Sequence, residues 1–148
     1  MTTIAWDGYS LSADKRSVNN TVISTVTKCR KISNKLVAGA GAMDTILAMF
    51  NWIENGENPE TFPSCQQDEN LWGPILIITE DKRILKYERT PHPIEYEDNF
   101  FAIGSGRDFA LCAMHLGKTS KEAIEIASKF DASTGNGVDT LSFDECSG

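Results

Sequence analysis

The apolar residues of this chain change their period in a fixed order, and that order restricts the fold more than any single motif. Thr3-Ile4-Ala5-Trp6 runs into Asp7-Gly8, a hairpin dipeptide, and Tyr9 to Ala13 then alternates with period two. A third extended piece is expected over 21–26, and Leu36-Val37-Ala38-Gly39 reads as a short apolar strand ending at the pair Gly39 and Gly41. Met43, Ile46, Leu47, Phe50 and Ile53 recur at three- and four-residue steps, which predicts a helix over 43–54. Residues 55–70 hold two prolines and hardly an apolar side chain, so they read as a long loop.

Beyond that loop, Ile75-Leu76-Ile77-Ile78 is a buried strand, and Asp81-Lys82 turns the chain into Ile84-Leu85-Lys86-Tyr87. Phe100 to Ile103 is another strand, stopped by Gly104-Ser105-Gly106. Helices are expected over 107–116 and 120–130, with Ser105 as a cap of the first. The second is opened by Thr119 and Glu122 as a T-x-x-E capping box. Alternation returns over 138–143. Hairpins segregated from helices in this order favour an α+β layered fold over a doubly wound parallel sheet.

A chain of 148 residues fits one domain and buries enough surface to need no disulfide or metal staple. Its net charge of −7 argues against nucleic acid and against an anionic membrane surface, both of which want a basic face. No apolar run approaches the ~18 residues of a membrane span, and the first residues lack a signal peptide's basic start and apolar centre. A cytoplasmic protein is expected. Cys29, Cys65, Cys112 and Cys146 show no C-x-x-C spacing and neither histidine stands in a ligand pattern, so reduced thiols and no metal or cofactor are expected.

Thr2 is the first residue with chemistry to offer. A threonine behind an initiator methionine normally allows that methionine to be clipped, leaving hydroxyl and α-amine on one residue. A free α-amine, with a pKa of about 7.7–8, can serve as base to its own weakly nucleophilic hydroxyl. Further along come the charged cluster Ala13-Asp14-Lys15-Arg16, the stretch Lys28-Cys29-Arg30-Lys31-Ile32 and the small-residue run Ala38-Gly39-Ala40-Gly41-Ala42.

Taken with Ala102-Ile103-Gly104-Ser105-Gly106 and Asp131-Ala132-Ser133-Thr134-Gly135, these pieces resemble, in order and over nearly the whole chain, the proteasome β-type subunits and the related bacterial proteasome-like peptidase. Both are N-terminal nucleophile hydrolases. The resemblance implies a four-layer αββα sandwich, two antiparallel sheets flanked by helices. It implies Thr2 as nucleophile, Lys28 as the cation beside it and Asp14 as that lysine's carboxylate partner. Ser105 would bond near the α-amine, with Asp131 and Thr134 orienting the terminal residue; threonine stands where the family usually has serine. Gly41 or Gly39 would supply the oxyanion N–H, with Gly41 slightly favoured. A threonine-type endopeptidase acting on unfolded protein or peptide within a homo-oligomeric ring follows, with room for an ATPase unfoldase as partner. Maturation is expected to need only loss of Met1.

One departure stands out. Relatives usually carry two long helices between the small-residue run and the next strand, and here the second gives way to the loop over 55–70. Loss of that helix puts the usual assembly in question and predicts a more open cleft. The open cleft keeps an N-terminal nucleophile amidase of small molecules in view. A catalytically silent structural member of the fold is the other alternative.

Overall fold

The computed structural model describes residues 2–143; Met1 and its removal, Cys146 and the rest of the tail lie outside the described residues. Two antiparallel sheets face each other. The first is ordered β10-β1-β2-β11, from Phe101–Gly104, Thr3–Trp6, Ser10–Asp14 and Val138–Ser142. The second runs β5-β6-β7-β8-β9, from Cys29–Ile32, Lys35–Gly39, Ile75–Ile78, Ile84–Tyr87 and Ile94–Tyr96. Between them Ile4, Trp6 and Leu11 of the first sheet meet Leu36, Leu76 and Ile78 of the second in a dry core. Burying a side chain of that size stabilises the fold by about 1.5–3 kcal/mol.

The helices cover the outer faces. Helix α1 (Met43–Glu54) lays Ile46, Met49, Phe50 and Ile53 on the second sheet against Val37, Ile75 and Ile77. On the first sheet, α3 (Arg107–His115) and α4 (Ser120–Phe130) pack through small residues, with Ala110, Ala113 and Ala123 against Ala5 and Ala102. Helix, sheet, sheet, helix is the αββα sandwich, and every ladder in it is antiparallel. Among the described residues no helix is long and apolar enough to cross a membrane.

Helix α4 starts as expected. The Thr119 hydroxyl accepts from the Glu122 N–H, and the Glu122 carboxylate accepts from the Thr119 N–H. Its N-terminus is also pinned to the first hairpin, because Asp7 accepts the Ser120 N–H at 2.7 Å and Ser120 shares a hydroxyl bond with Ser12 at 2.7 Å.

Two segments differ from the sequence pattern. The extended piece expected over 21–26 is one arm of a two-stranded ribbon, β3 (Arg16–Asn19) with β4 (Val22–Thr25), turning at Asn20 with φ of 58°. Residues 55–70 are not a bare loop. They hold a 3-10 turn, Pro59–Thr61, and a one-turn helix α2, Ser64–Gln67, and then come back to the body of the protein.

Candidate active site

Asp14 ends β2 with its side chain fully enclosed, so its carboxylate needs partners on every side. It has them. Oδ1 accepts from the Thr3 N–H at 3.1 Å and from Lys28 Nζ at 2.9 Å, while Oδ2 accepts from the Gly135 N–H at 3.0 Å and the Arg16 N–H at 3.2 Å. Lys28 precedes β5, and its carbonyl takes the Gly39 N–H at 3.0 Å, which extends the β5–β6 ladder and fixes where the lysine leaves the sheet. Its ammonium donates to Thr2 Oγ1 at 2.9 Å as well as to Asp14. Burial holds this ammonium below the ordinary lysine value of 10.5, against the upward pull of the Asp14 charge and hydrogen bond, and Arg16 nearby adds to the lowering.

On the other side of Thr2, its backbone nitrogen donates to Ser105 Oγ at 3.2 Å, and Ser105 donates to Asp131 Oδ2 at 2.6 Å. Thr134 donates to the same oxygen at 2.6 Å. The Thr134 proton is thereby committed, so at the 2.6 Å contact between the two threonines it is Thr3 that donates. Burial pushes the Asp131 carboxyl up, but the Ser105 and Thr134 hydroxyls and the Ser133 N–H outweigh it, and the net shift is below the usual 3.8. These bonds compensate for a carboxylate at the C-terminal end of α4, where the helix dipole disfavours negative charge.

Ser105 does not cap α3. Gly106 takes that position without a side-chain bond, and the serine hydroxyl turns to Asp131 instead. The flanking glycines explain how it gets there. A Cβ on Gly104, whose φ is +100°, would sit 1.9 Å from the Thr2 carbonyl oxygen, and one on Gly106 would sit 2.1 Å from Thr3 Oγ1. Only a chain bare at both places can lie against the first strand this closely.

Thr2, Lys28 and Gly41 line a cleft of about 640 Å³, together with Arg16, Val18, Ser133 and residues 70–72. The two glycines considered for an oxyanion N–H part company here. The Gly39 N–H is spent on the Lys28 carbonyl, and the next, that of Ala40, is spent on Pro74 O at 3.0 Å. The Gly39 N–H is thus occupied within the sheet, whereas Gly41, with φ of +117°, lines the cleft. The neighbouring thiol of Cys29 is buried and pushed up to about 12, which makes it a poor competitor as nucleophile.

Thr2, Asp14, Lys28, Ser105, Asp131 and Thr134 thus meet in one cluster, drawn from the residue before β1, the end of β2, the residue before β5, the turn before α3 and the turn after α4. Sequence reasoning missed the Thr3 hydroxyl, Ser133 and the part of the chain at 66–73. It noted Arg16 without a role. In the structure Arg16 donates to Asn136 Oδ1 at 3.0 Å and Ala132 O at 2.8 Å, spreading over Gly135 at the cleft edge. Thr3 could have been found from the strand, because its side chain shares a face with Ala5, directed at the helix layer. Nothing local marks 66–73.

No protein-family model matches the chain. Proteasome subunit beta 1 of Thermococcus onnurineus (strain NA1) is 28% identical over 171 residues, covering 94% of this chain and 84% of that protein. Among solved structures, Thiobacillus denitrificans BPH superposes with a TM-score of 0.72 at 16% identity, covering 98% of this chain and 99% of its own. The same protein in complex with epoxomicin gives 0.71 at 15% identity, over 95% and 96% of the two chains. Eukaryotic HslV from Trypanosoma brucei gives 0.71 at 20% identity, over 95% and 97%. The chain is thus similar in sequence to a proteasome β subunit and shares the fold of these proteasome-like neighbours.

Proposed function

We propose that this protein is a threonine-type endopeptidase whose nucleophile is Thr2 Oγ1, exposed with its α-amine once the residue ahead of it is removed. The observation that carries the reading is the Lys28 ammonium, enclosed and 2.9 Å from both Thr2 Oγ1 and Asp14 Oδ1 at the floor of a cleft. An ammonium so placed stabilises negative charge as it develops on the hydroxyl oxygen, in a setting that water screens poorly. Asp14 holds the lysine and keeps it charged despite its burial.

The Thr2 hydroxyl proton passes to the terminal α-amine, through a water, as Oγ1 attacks the scissile carbonyl. The Gly41 N–H receives the carbonyl oxygen as it becomes an oxyanion. Collapse breaks the C–N bond, the amine returns the proton to the leaving nitrogen, and an ester to Thr2 remains. A water then attacks that ester with the same amine as base, releasing the acid and restoring the hydroxyl. Ser105, held by Asp131 and Thr134, steadies the terminal nitrogen through its 3.2 Å contact. The neighbour solved with epoxomicin supports the reading in its chemical class.

The substrate is an unfolded or flexible polypeptide, met in the cytoplasm by a homo-oligomeric ring that an ATPase unfoldase could feed. Support for assembly lies on the outer face of α3 and α4, where exposed Phe109 and Phe130 stack at 5.4 Å beside a 79% exposed Leu116. Residues 70–72 return to line the cleft, which favours this reading over a small-molecule amidase.

The test joins two measurements. Intact mass of the purified protein reads the residue at its N-terminus, and a peptide epoxyketone, which needs hydroxyl and amine of one terminal threonine, reads their chemistry. Stoichiometric labelling at Thr2, lost in Thr2→Ala, is expected. A mature protein that retains Met1, or remains unlabelled after its loss, overturns the proposal.

A further inference from the structure

The part of the chain between α1 and β7 is held by one buried side chain. Gln66, fully enclosed on α2, donates through Nε2 to Gly73 O at 2.6 Å and to Glu88 O at 2.7 Å, and its Oε1 accepts the Gly73 N–H at 3.2 Å. Gly73 in turn lies flat on the small-residue run: a Cβ there would be 1.9 Å from Ala40 O. Upstream, Leu71 and Trp72 donate their N–H groups to Asp68 O, and the Leu71 carbonyl accepts the Thr45 hydroxyl at 2.9 Å. Residues 71 and 72 are therefore fixed at both ends, against α1 on one side and against Gly41 on the other. A wall fixed before substrate arrives costs little ordering on binding.

What this wall offers is apolar. Leu71 is 49% exposed and Val18, from the β3–β4 ribbon, 50%; both line the cleft with the half-buried Trp72 and Met43. Two cations also line it, which would suggest acidic side chains as the preferred guests. Their geometry decides otherwise. The Arg16 guanidinium is tied to Asn136 and Ala132, and the Lys28 ammonium to Asp14 and Thr2, while Asp44 opens α1 at the same cleft with negative charge.

We infer that Leu71 and Trp72 are specificity-determining residues, selecting a large apolar side chain on the polypeptide whose carbonyl Thr2 attacks. The inference rests on the peptidase reading and adds its substrate preference. A bound leucine or phenylalanine covers apolar surface that otherwise stays wet, whereas glutamate gains no unpaired cation in return.

The experiment uses peptide epoxyketones and matching fluorogenic amides that differ only at the residue forming the ester: leucine, phenylalanine, glutamate or arginine. The unaltered protein is expected to react at least about tenfold faster with leucine and phenylalanine than with glutamate. Leu71→Ala, an exposed position that folding tolerates, should cut that ratio by about fivefold to tenfold. Leu71→Glu should move the preference toward arginine. Labelling of Thr2 with an unchanged order of preference in both variants overturns this inference and leaves the peptidase reading standing. Absence of labelling by all four probes in the unaltered protein overturns both.

Discussion

At the floor of the cleft, one carboxylate, Asp14, accepts four hydrogen bonds and is fully enclosed; at its wall, Leu71 shows half its surface to solvent and is held only through its backbone. Both regions are rigid, yet the rigidity has different origins. Charge must be paired wherever it is buried, so the floor is locked by side chains whose types cannot be exchanged. The wall is locked from behind by Gln66, which leaves the side chains at 71 and 72 free to vary with the guest. Fixed chemistry beside an adjustable surface is what the proposed peptidase activity would need to keep one reaction and change its substrates.

The largest effects belong to the floor. Thr2→Ala should abolish peptide hydrolysis, at least about a thousandfold, while circular dichroism and size in solution stay as they were. Lys28→Ala should come close, and wild-type turnover in either variant would remove the roles assigned here. Asp14→Ala strands a buried ammonium and should destabilise the protein by about 3–5 kcal/mol in denaturant titrations, more than any change at the wall. If it costs under about 1 kcal/mol, the floor is not the locked region described.

Gln66→Leu tests the wall from behind. It leaves Gly73 and Glu88 backbone groups without their partner, and a loss of about 2–4 kcal/mol is expected. A smaller shift is expected with pH. The Asp131 carboxyl titrates below 3.8 in the folded protein, so its folded form holds the proton less tightly than the unfolded chain. Its contribution is therefore present above about pH 4 and lost as pH falls through the lowered value. Asp131→Asn should flatten that acid limb of the stability profile, and an unchanged limb counts against the bonds from Ser105 and Thr134.

Legibility followed the same division. Helix α1, β7 and α4 were readable because each carries its own period and, for α4, its own capping box. The cluster at the floor was readable through short pieces in a known order, each dictated by a tight local geometry such as Gly104-Ser105-Gly106 against the first strand. The edge strand β9 was not, since Ile94–Tyr96 spans three residues with one aliphatic side chain. The ribbon β3–β4 escaped as a pair because Asn20, not glycine, takes the positive φ at its turn. Choosing between Gly39 and Gly41 was beyond sequence, since it depends on which N–H the Lys28 carbonyl captures across the ladder.

From its amino-acid order alone, this chain determines where most strands and helices lie, because local periodicity resides in neighbouring residues; that Thr2, Asp14, Lys28, Ser105, Asp131 and Thr134 belong together was implied by the resemblance of its short motifs to the proteasome β-type subunits. Only the tertiary structure decides that residues 71 and 72 line the same cleft as Thr2. Gln66 sits in a stretch without apolar pattern, and its three bonds run to Gly73 and Glu88, up to 22 residues away. A buried amide finds its partners by where the folded backbone brings them, and no spacing in the chain announces that meeting.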